Sequence, residues 1–184
     1  MYLLMILLKM ILLEVKNLEK MIIHIYDDDL LNGDGIREVV FLQGCHHHCK
    51  GCFNQETWEF KKPTPESELK DSEYLKHLDD KLSQDYIAGV TISGGDPLAP
   101  ENLYLTRIII DIAKRHEKTI WVYSGYTYEH LSMTAYDILK DIDVLCDGKF
   151  IEALKSPDKP WVGSSNQRVI DVQKSLKSGT ILLK

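Results

Sequence analysis

The chain has 184 residues, of which 44% are hydrophobic and 27% are charged. This length and composition suit one domain with its own core and exclude collagen, low-complexity and intrinsically disordered chains. The 22 Lys and Arg residues against 28 Asp and Glu residues leave a net charge of −6, so no general attraction to nucleic acid or to an anionic membrane is built in. Three of the four cysteines fall within eight positions, which is not the distribution of a disulfide scaffold.

The first 20 residues differ in character from the rest. Residues 1–13 are almost wholly apolar, but they are shorter than the roughly 20 residues that a bilayer-spanning helix needs. They lack both the basic opening and the small-residue cleavage site of a secretion signal. We interpret residues 1–20 as an N-terminal extension, or as a helix that docks on the body or on a partner. Residues 21–184 are then one domain of a cytoplasmic protein.

From Met21 onward, strand-like and helix-like patterns alternate. Apolar residues of the 100–115 region recur at i, i+3, i+4 and i+7 and predict an amphipathic helix. Alternation of strands with helices implies parallel pairing, hence an α/β fold with a mostly parallel sheet or partial barrel and helices outside. The predicted strands are 36–42, 87–93, 119–123 and 143–146, and two weaker helices are predicted at 66–82 and 134–140.

The chemically unusual residues follow two of these strands. A Cys-x3-Cys-x2-Cys loop, formed by Cys45, Cys49 and Cys52, comes after the first predicted strand, and Gly94-Gly95-Asp96-Pro97 comes after the second. Ligands of parallel sheets collect beyond the carboxyl ends of the strands. The two segments therefore predict a shared site at one edge of the sheet.

Three thiolates at this spacing favour a metal or iron–sulfur site. A cluster with one exposed iron needs no fourth protein ligand, whereas a structural zinc ion needs one. The candidates for that fourth zinc ligand are His46, His47 and His48, which cannot all join one site. Both alternatives stay open at this point. The fourth cysteine, Cys146, stands alone after a strand and is interpreted as a core residue.

These motifs, taken together, resemble the radical S-adenosylmethionine superfamily. The cysteine spacing alone identifies only the superfamily. The Trp-x-Tyr-x-Gly-Tyr and Gly-Ser-Ser-Asn-Gln-Arg segments are similar to segments of a narrower family, the small glycyl-radical-enzyme activases that act on anaerobic ribonucleoside-triphosphate reductase. The matching segments are 32–37, 45–54, 57–58, 93–98, 120–126, 144–150 and 161–168.

The resemblance implies a radical S-adenosylmethionine type of partial barrel and a role for each matching residue. Cys45, Cys49 and Cys52 are expected to hold three irons of one 4Fe-4S cluster and to leave the fourth iron for S-adenosylmethionine. The expected neighbours of that cofactor are two residues that flank the last cysteine and three in the glycine-rich turn: Gly51, Phe53, Gly94, Gly95 and Asp96. Cys52 adjoins the cofactor as well. Asp96 is expected to accept a hydrogen bond from the amino group of S-adenosylmethionine.

The resemblance also implies an activity and partners. Reductive cleavage of S-adenosylmethionine is expected to give a 5′-deoxyadenosyl radical, which takes a hydrogen atom from a glycine of anaerobic ribonucleoside-triphosphate reductase. No side chain is expected to act as acid or base, because the cluster and the sulfonium carry the difficult step. A reduced flavodoxin-type protein is the expected electron donor. The alternatives are an activase of another glycyl-radical enzyme, such as pyruvate formate-lyase, and a non-catalytic zinc-binding module.

Overall fold

The structure is a computed structural model that describes residues 22–60 and 65–184, with only the backbone described for 65–72. The predicted N-terminal extension, residues 1–20, lies outside the described residues. Six strands and four helices follow one another along the described part of the chain. They are β1 (Ile22–Asp29), β2 (Arg37–Leu42), α1 (Pro65–Leu82), β3 (Gly89–Gly94), α2 (Leu103–Arg115), β4 (Thr119–Tyr123), α3 (Met133–Leu139), β5 (Val144–Asp147), β6 (Arg168–Asp171) and α4 (Val172–Ser178).

All six strands lie in one sheet, in the order β1-β2-β3-β4-β5-β6. β2 to β5 pair in parallel, and the two outer strands pair antiparallel with their neighbours. α1, α2 and α3 are the crossovers that parallel neighbours require. The predicted α/β class with a parallel central sheet is confirmed. Within the described residues β1 and β6 are both edge strands, so no closed barrel forms.

The elements predicted from the sequence agree closely with those observed. Each of the four predicted strands is present, with boundaries that shift by at most two residues, and the helices predicted at 66–82 and 134–140 each begin one residue earlier. Shifts of this size are normal at element ends, where hydrogen bonding is incomplete. Because β2 to β5 are parallel, the loops that follow them meet at one edge of the sheet, as the sequence predicted.

The predicted apolar stripe of α2 faces the core. Leu105, Ile109 and Ile112 are buried, and Ile108 is partly buried against the same cluster. Full burial of one such side chain contributes about 1.5–3 kcal/mol, so this face is enough to hold α2 on the sheet. Among the described helices, none has the length and apolar character needed to cross a membrane.

A fully buried arginine, Arg37, links the amino ends of the parallel strands, at the edge of the sheet opposite the predicted site. The Arg37 guanidinium donates to the hydroxyl oxygens of Thr91 and Thr119, to the Val90 and Thr119 carbonyl oxygens and to the Asp34 carbonyl oxygen. Burial lowers the pKa of Arg37 to about 10. These acceptors lie on β3, on β4 and in the turn at Asp34. Arg37, the first residue of β2, therefore links three strands to the turn that precedes β2.

The C-terminal elements were not predicted. β6 has the sequence Arg-Val-Ile-Asp, with only two apolar residues between two charged ones, so no strand pattern stood out from the sequence. α4 follows it directly, begins where the Asp171 carboxylate accepts the Lys174 N–H at 3.0 Å, and ends at Gly179 with φ of +69°. The strand-like segment 180–183 forms a single bridge between Ile170 and Leu183.

Candidate functional site

The cysteine loop leaves the carboxyl end of β2 and is fixed by backbone hydrogen bonds. The Gly44 N–H donates to the Thr57 carbonyl oxygen at 2.7 Å, and the Cys45 N–H donates to the Trp58 carbonyl oxygen at 3.0 Å. The Cys52 N–H donates to the Cys49 carbonyl oxygen at 3.0 Å and so closes the turn between these two cysteines. The loop is therefore held in a single shape by its own backbone.

The glycine-rich turn after β3 packs directly on the start of this loop. The Asp96 N–H donates to the Gly44 carbonyl oxygen at 2.8 Å, and the Gly95 N–H donates to the Leu42 carbonyl oxygen at 2.8 Å. A Cβ at Gly95 would lie 2.3 Å from the Gly44 oxygen, and one at Gly94, where φ is +98°, would lie 2.5 Å from the Leu42 nitrogen. Contact between two backbones thus requires glycine at both positions.

The three cysteines border one small cavity of about 120 Å³, which Gly94 and Gly95 border as well. The structure therefore brings together five of the residues predicted for the site. Phe53 is 71% exposed and borders an adjoining groove instead. The two remaining predicted residues, Asp96 and Gly51, do not line the cavity. Asp96 is fully buried. At Gly51, an added Cβ would lie 3.0 Å from a carboxylate oxygen of Glu152.

Cys45 is buried, Cys49 and Cys52 are partly exposed, and backbone N–H groups point at two of the three sulfurs. The His47 N–H points at the Cys45 sulfur at 3.5 Å, and the Asn54 N–H points at the Cys52 sulfur at 3.4 Å. Burial raises the pKa of the Cys45 and Cys49 thiols. A bound cation reverses this preference, because coordination keeps the thiolate form. The loop thus suits metal-bound thiolates better than unbound ones.

The separation of the three sulfurs distinguishes a single ion from a cluster. In tetrahedral zinc sites the Zn–S distance of about 2.3 Å places ligand sulfurs about 3.8 Å apart. Among the described residues, one group of at least three Cys, His, Asp or Glu donors lies within 4.8 Å of one another, and it contains no cysteine. The three sulfurs are therefore not all within 4.8 Å of one another, as the ligands of one zinc ion would be.

Each of the three consecutive histidines bonds or packs in a different direction. His46 Nε2 lies 3.1 Å from Glu101, on the outside of the loop. His47 Nε2 lies 2.7 Å from Asp96 Oδ2. The His48 ring stacks on Trp58, with ring centroids 4.9 Å apart. The prediction that the three cannot share one site is confirmed.

Asp96 is fully buried, and its carboxylate is surrounded by donors of the protein. Oδ1 accepts from the Leu98 N–H and the Ser124 hydroxyl, both at 2.9 Å. Oδ2 accepts from the Gly125 N–H at 2.9 Å and bonds to His47 Nε2 at 2.7 Å. This carboxylate connects the cysteine loop, the turn after β3 and the turn after β4.

Two side chains at the site were not recognised from the sequence. The buried Asn102 donates to the Gln43, Gly44 and Asp96 carbonyl oxygens, at 2.8–3.2 Å, and so braces both loops from behind. Trp58 borders the cavity, and its buried Nε1–H has no acceptor among the described residues. No sequence signal indicates these roles, because each depends on residues brought together by the fold.

A larger open groove of about 780 Å³ adjoins the site on the side of Cys52 and Phe53. Its wall is largely apolar and includes Phe150 and Trp161. Leu31, at its rim, is 78% exposed. An exposed apolar groove of this kind suits contact with another macromolecule or with a ligand.

The Gly-Ser-Ser-Asn-Gln-Arg segment shapes the edge of this groove through internal bonds. Gln167 Oε1 accepts from the Gly163 N–H at 2.9 Å, and Gln167 Nε2 donates to the Gly148 carbonyl oxygen at 2.9 Å. Arg168 pairs with Asp147 and with Glu129, whose pKa this Arg168 hydrogen bond lowers to about 2. The segment therefore fixes the loop after β5.

The lone Cys146 lies in the core, as predicted. It is 1% exposed and packs in a cluster with Trp121, Val144 and Val169. Burial raises the pKa of its thiol to about 12. A thiol of this kind is a packing group, not a metal ligand.

Comparison with known proteins places this geometry in a family. A family model described as a 4Fe-4S single cluster domain matches residues 31–170. A relative in Haemophilus influenzae is 38% identical over 144 residues, which are 77% of this chain and 92% of the relative. One in Escherichia coli is 37% identical over 146 residues, covering 78% and 94%, and one in Vibrio cholerae is 37% identical over 150 residues, covering 77% and 92%. Each relative is named anaerobic ribonucleoside-triphosphate reductase-activating protein. The chain belongs to this family of reductase-activating proteins, which carry a 4Fe-4S single cluster domain.

Proposed function

We propose that this protein is an iron–sulfur enzyme that cleaves S-adenosylmethionine reductively and generates a glycyl radical on anaerobic ribonucleoside-triphosphate reductase. The observation that carries the proposal is the single cavity bordered by Cys45, Cys49 and Cys52 together with the Gly94-Gly95 backbone. The family membership supports it. In this proposal the open six-stranded sheet is a partial barrel of the radical S-adenosylmethionine type.

Cys45, Cys49 and Cys52 are proposed to hold three irons of one 4Fe-4S cluster. Their sulfurs do not all lie within 4.8 Å of one another, as the ligands of one zinc ion would, and this supports a cube over a zinc ion. His46 bonds to Glu101 and His47 bonds to Asp96, which argues further against either of these histidines as a fourth metal ligand. The buried Trp58 Nε1–H at the cavity is available to donate to a cluster sulfur, and it is one unpaired donor that such a cofactor would satisfy.

S-adenosylmethionine is proposed to bind at the fourth iron, beside Gly51, Cys52, Phe53, Gly94, Gly95 and Asp96. Of these, Gly94 and Gly95 border the cavity without a Cβ, and the Phe53 ring is exposed for packing on the ligand. Asp96 contributes by positioning, because its carboxylate already holds His47 and the turn after β4. Its predicted direct bond to the amino group stays a prediction.

The cluster, held by Cys45, Cys49 and Cys52, would supply one electron for cleavage of S-adenosylmethionine to methionine and a 5′-deoxyadenosyl radical. That radical would take a hydrogen atom from the partner's glycine, to give 5′-deoxyadenosine and a glycyl radical. The protein's own residues orient the reactants and exclude water. Asn102 and Asp96 fix the loops around the cavity. No acid or base is required of them.

The protein substrate is proposed to dock over the apolar groove beside Cys52. Its open shape suits a loop of a large partner, and the exposed Leu31 and Phe53 provide apolar contact area. A reduced flavodoxin-type protein is the proposed electron donor, and the anaerobic cytoplasm is the proposed compartment, since the cluster is oxygen-labile.

The test is anaerobic reconstitution with iron and sulfide, followed by reduction in the presence of S-adenosylmethionine. We expect a brown protein that releases 5′-deoxyadenosine and, with anaerobic ribonucleoside-triphosphate reductase, produces a glycyl radical visible by electron paramagnetic resonance. A colourless zinc protein without cleavage would refute the enzyme. A radical formed only on pyruvate formate-lyase would replace the partner.

A pair of cysteine variants checks the ligand assignment. Cys49→Ala is expected to lose most of the cluster absorbance and all measurable cleavage, because only two cysteine ligands remain. Cys146→Ala is the matched control: it removes a buried thiol that does not itself line the cavity and is expected to keep both signals. Equal behaviour of the two variants would contradict the assignment.

A further inference from the structure

A second cluster of ligand-type side chains lies away from the cysteine loop, where β1, β2 and α1 meet. Asp27, Glu38 and His77 each place one donor atom within 4.8 Å of the other two. His77 Nε2 is 2.8 Å from Asp27 Oδ1. Glu38 is the second residue of β2, at the amino ends of the parallel strands, whereas the cysteine loop follows their carboxyl ends.

A β-bulge builds this cluster. Tyr26 pairs with Val39 and Asp29 pairs with Arg37, so two residues of β1 stand opposite the single Glu38. The second of them, Asp28, has a φ of +55°, and its N–H donates to Glu38 Oε1 at 3.3 Å. Bulges re-aim side chains, and a non-glycine residue in this region is strained. Here the bulge crowds two more carboxylates toward a buried one.

The buried Glu38 side chain is only partly compensated. Its exposed fraction is 0%, and among the described residues Oε2 has no hydrogen-bond partner. Oε1 receives the Asp28 N–H and lies 3.8 Å from the Lys81 ammonium. Lys81 itself is held by Asp28 at 2.9 Å. One carboxylate oxygen is thus buried without a donor, an arrangement that costs free energy unless something binds there.

The charges of the cluster call for a doubly charged ion. When Glu38 is ionised, Asp27, Asp28 and Glu38 carry three negative charges, and Lys81 supplies one positive charge. With His77 neutral, two negative charges stay uncompensated. One imidazole nitrogen and two carboxylate oxygens are ligands that divalent transition-metal ions accept, Zn²⁺ and Mn²⁺ among them.

We infer that Asp27, Glu38 and His77 form a second metal site, which binds one divalent transition-metal ion and fastens α1 to the β1–β2 hairpin. The site is structural, because it stands apart from the cavity of the proposed reaction. The alternative is a proton in place of the ion: burial and the neighbouring Asp27 raise the pKa of Glu38 to about 7. The two alternatives differ in whether the protein takes up metal.

The experiment titrates Mn²⁺ into the protein with its iron–sulfur cluster in the oxidised, diamagnetic state, and follows the electron paramagnetic resonance signal of unbound Mn²⁺. Mn²⁺ prefers oxygen and nitrogen ligands over thiolates, so it does not compete for the cysteines. We expect one Mn²⁺ per chain. His77→Ala and Glu38→Gln are each expected to weaken binding at least tenfold.

His116→Ala is the matched control, because His116 pairs with Asp79 at 2.7 Å in a surface contact outside the cluster. It is expected to leave Mn²⁺ binding unchanged. Because His77 is exposed, its replacement is expected to leave the core intact, and retained cluster absorbance verifies the fold of the variant. Absence of Mn²⁺ uptake by the unmodified protein, or equal uptake by all variants, would overturn the inference.

Discussion

Replacement of Asp96 by Asn distinguishes the two roles that this residue can have. The change keeps the size of the side chain but turns one carboxylate oxygen into an NH2 group that donates. In the structure both oxygens accept, Oδ1 from the Leu98 N–H and the Ser124 hydroxyl, Oδ2 from the Gly125 N–H and His47. Ser124 and His47 can each turn to accept from the new amide, but neither backbone N–H can.

The expected loss of stability follows from this count. Whichever oxygen is replaced, one buried backbone N–H is left facing a donor, which costs about 1–3 kcal/mol. The remaining bonds lose the strength that the negative charge gives them, at about 1 kcal/mol. The Asp96→Asn protein is therefore expected to unfold with a free energy about 2–4 kcal/mol lower before any S-adenosylmethionine is added.

Urea unfolding of the protein without S-adenosylmethionine measures this loss, and calorimetric titration measures the affinity for S-adenosylmethionine. Glu101→Gln is the control, because Glu101 contacts His46 of the same loop at a half-exposed position and is expected to change stability by less than about 1 kcal/mol. An unchanged unfolding free energy with a strongly reduced affinity would refute our reasoning, because it would mean that the carboxylate serves the ligand alone.

Three further changes test other parts of the structure. Gly95→Ala is expected to destabilise the protein by about 1–3 kcal/mol and to reduce cluster content, because the new Cβ would clash with the Gly44 backbone. Gly179→Ala is the control, because there is open space around its Cβ: it is expected to destabilise the protein by about 1 kcal/mol through its positive φ alone and to keep the cluster. Trp58→Phe removes the unpaired Nε1–H at the cavity and is expected to lower the one-electron reduction potential by about 40 mV, the equivalent of about 1 kcal/mol; an unshifted potential in redox titration would contradict a bond to cluster sulfur. Because the Arg168 hydrogen bond lowers the pKa of Glu129 to about 2, the stabilisation from this pair is expected to be complete above about pH 4.5 and to vanish as the pH falls toward 2, and Glu129→Gln should flatten that part of the unfolding curve measured against pH.

The predictions that the sequence allowed depend on local patterns. The apolar spacing in α2 and the β-branched runs of the central strands require only neighbouring residues, and the structure confirms them. The four residues of β6 lack such a pattern, and their position is fixed instead by pairing with β5, far away along the chain. For this reason the C-terminal part of the fold was not predicted.

The sequence by itself was enough to predict the family, the position of the candidate site at the carboxyl ends of the strands, and which three cysteines border it. The spacing of these cysteines within a short loop is a local property of the sequence. Only the tertiary structure decided that Gly95 is needed for contact with Gly44, and that Asp96 faces donors from three segments. It alone also brought Glu38 and His77 together. Such relations join residues distant in sequence, and they arise only when packing of the core brings those segments into contact.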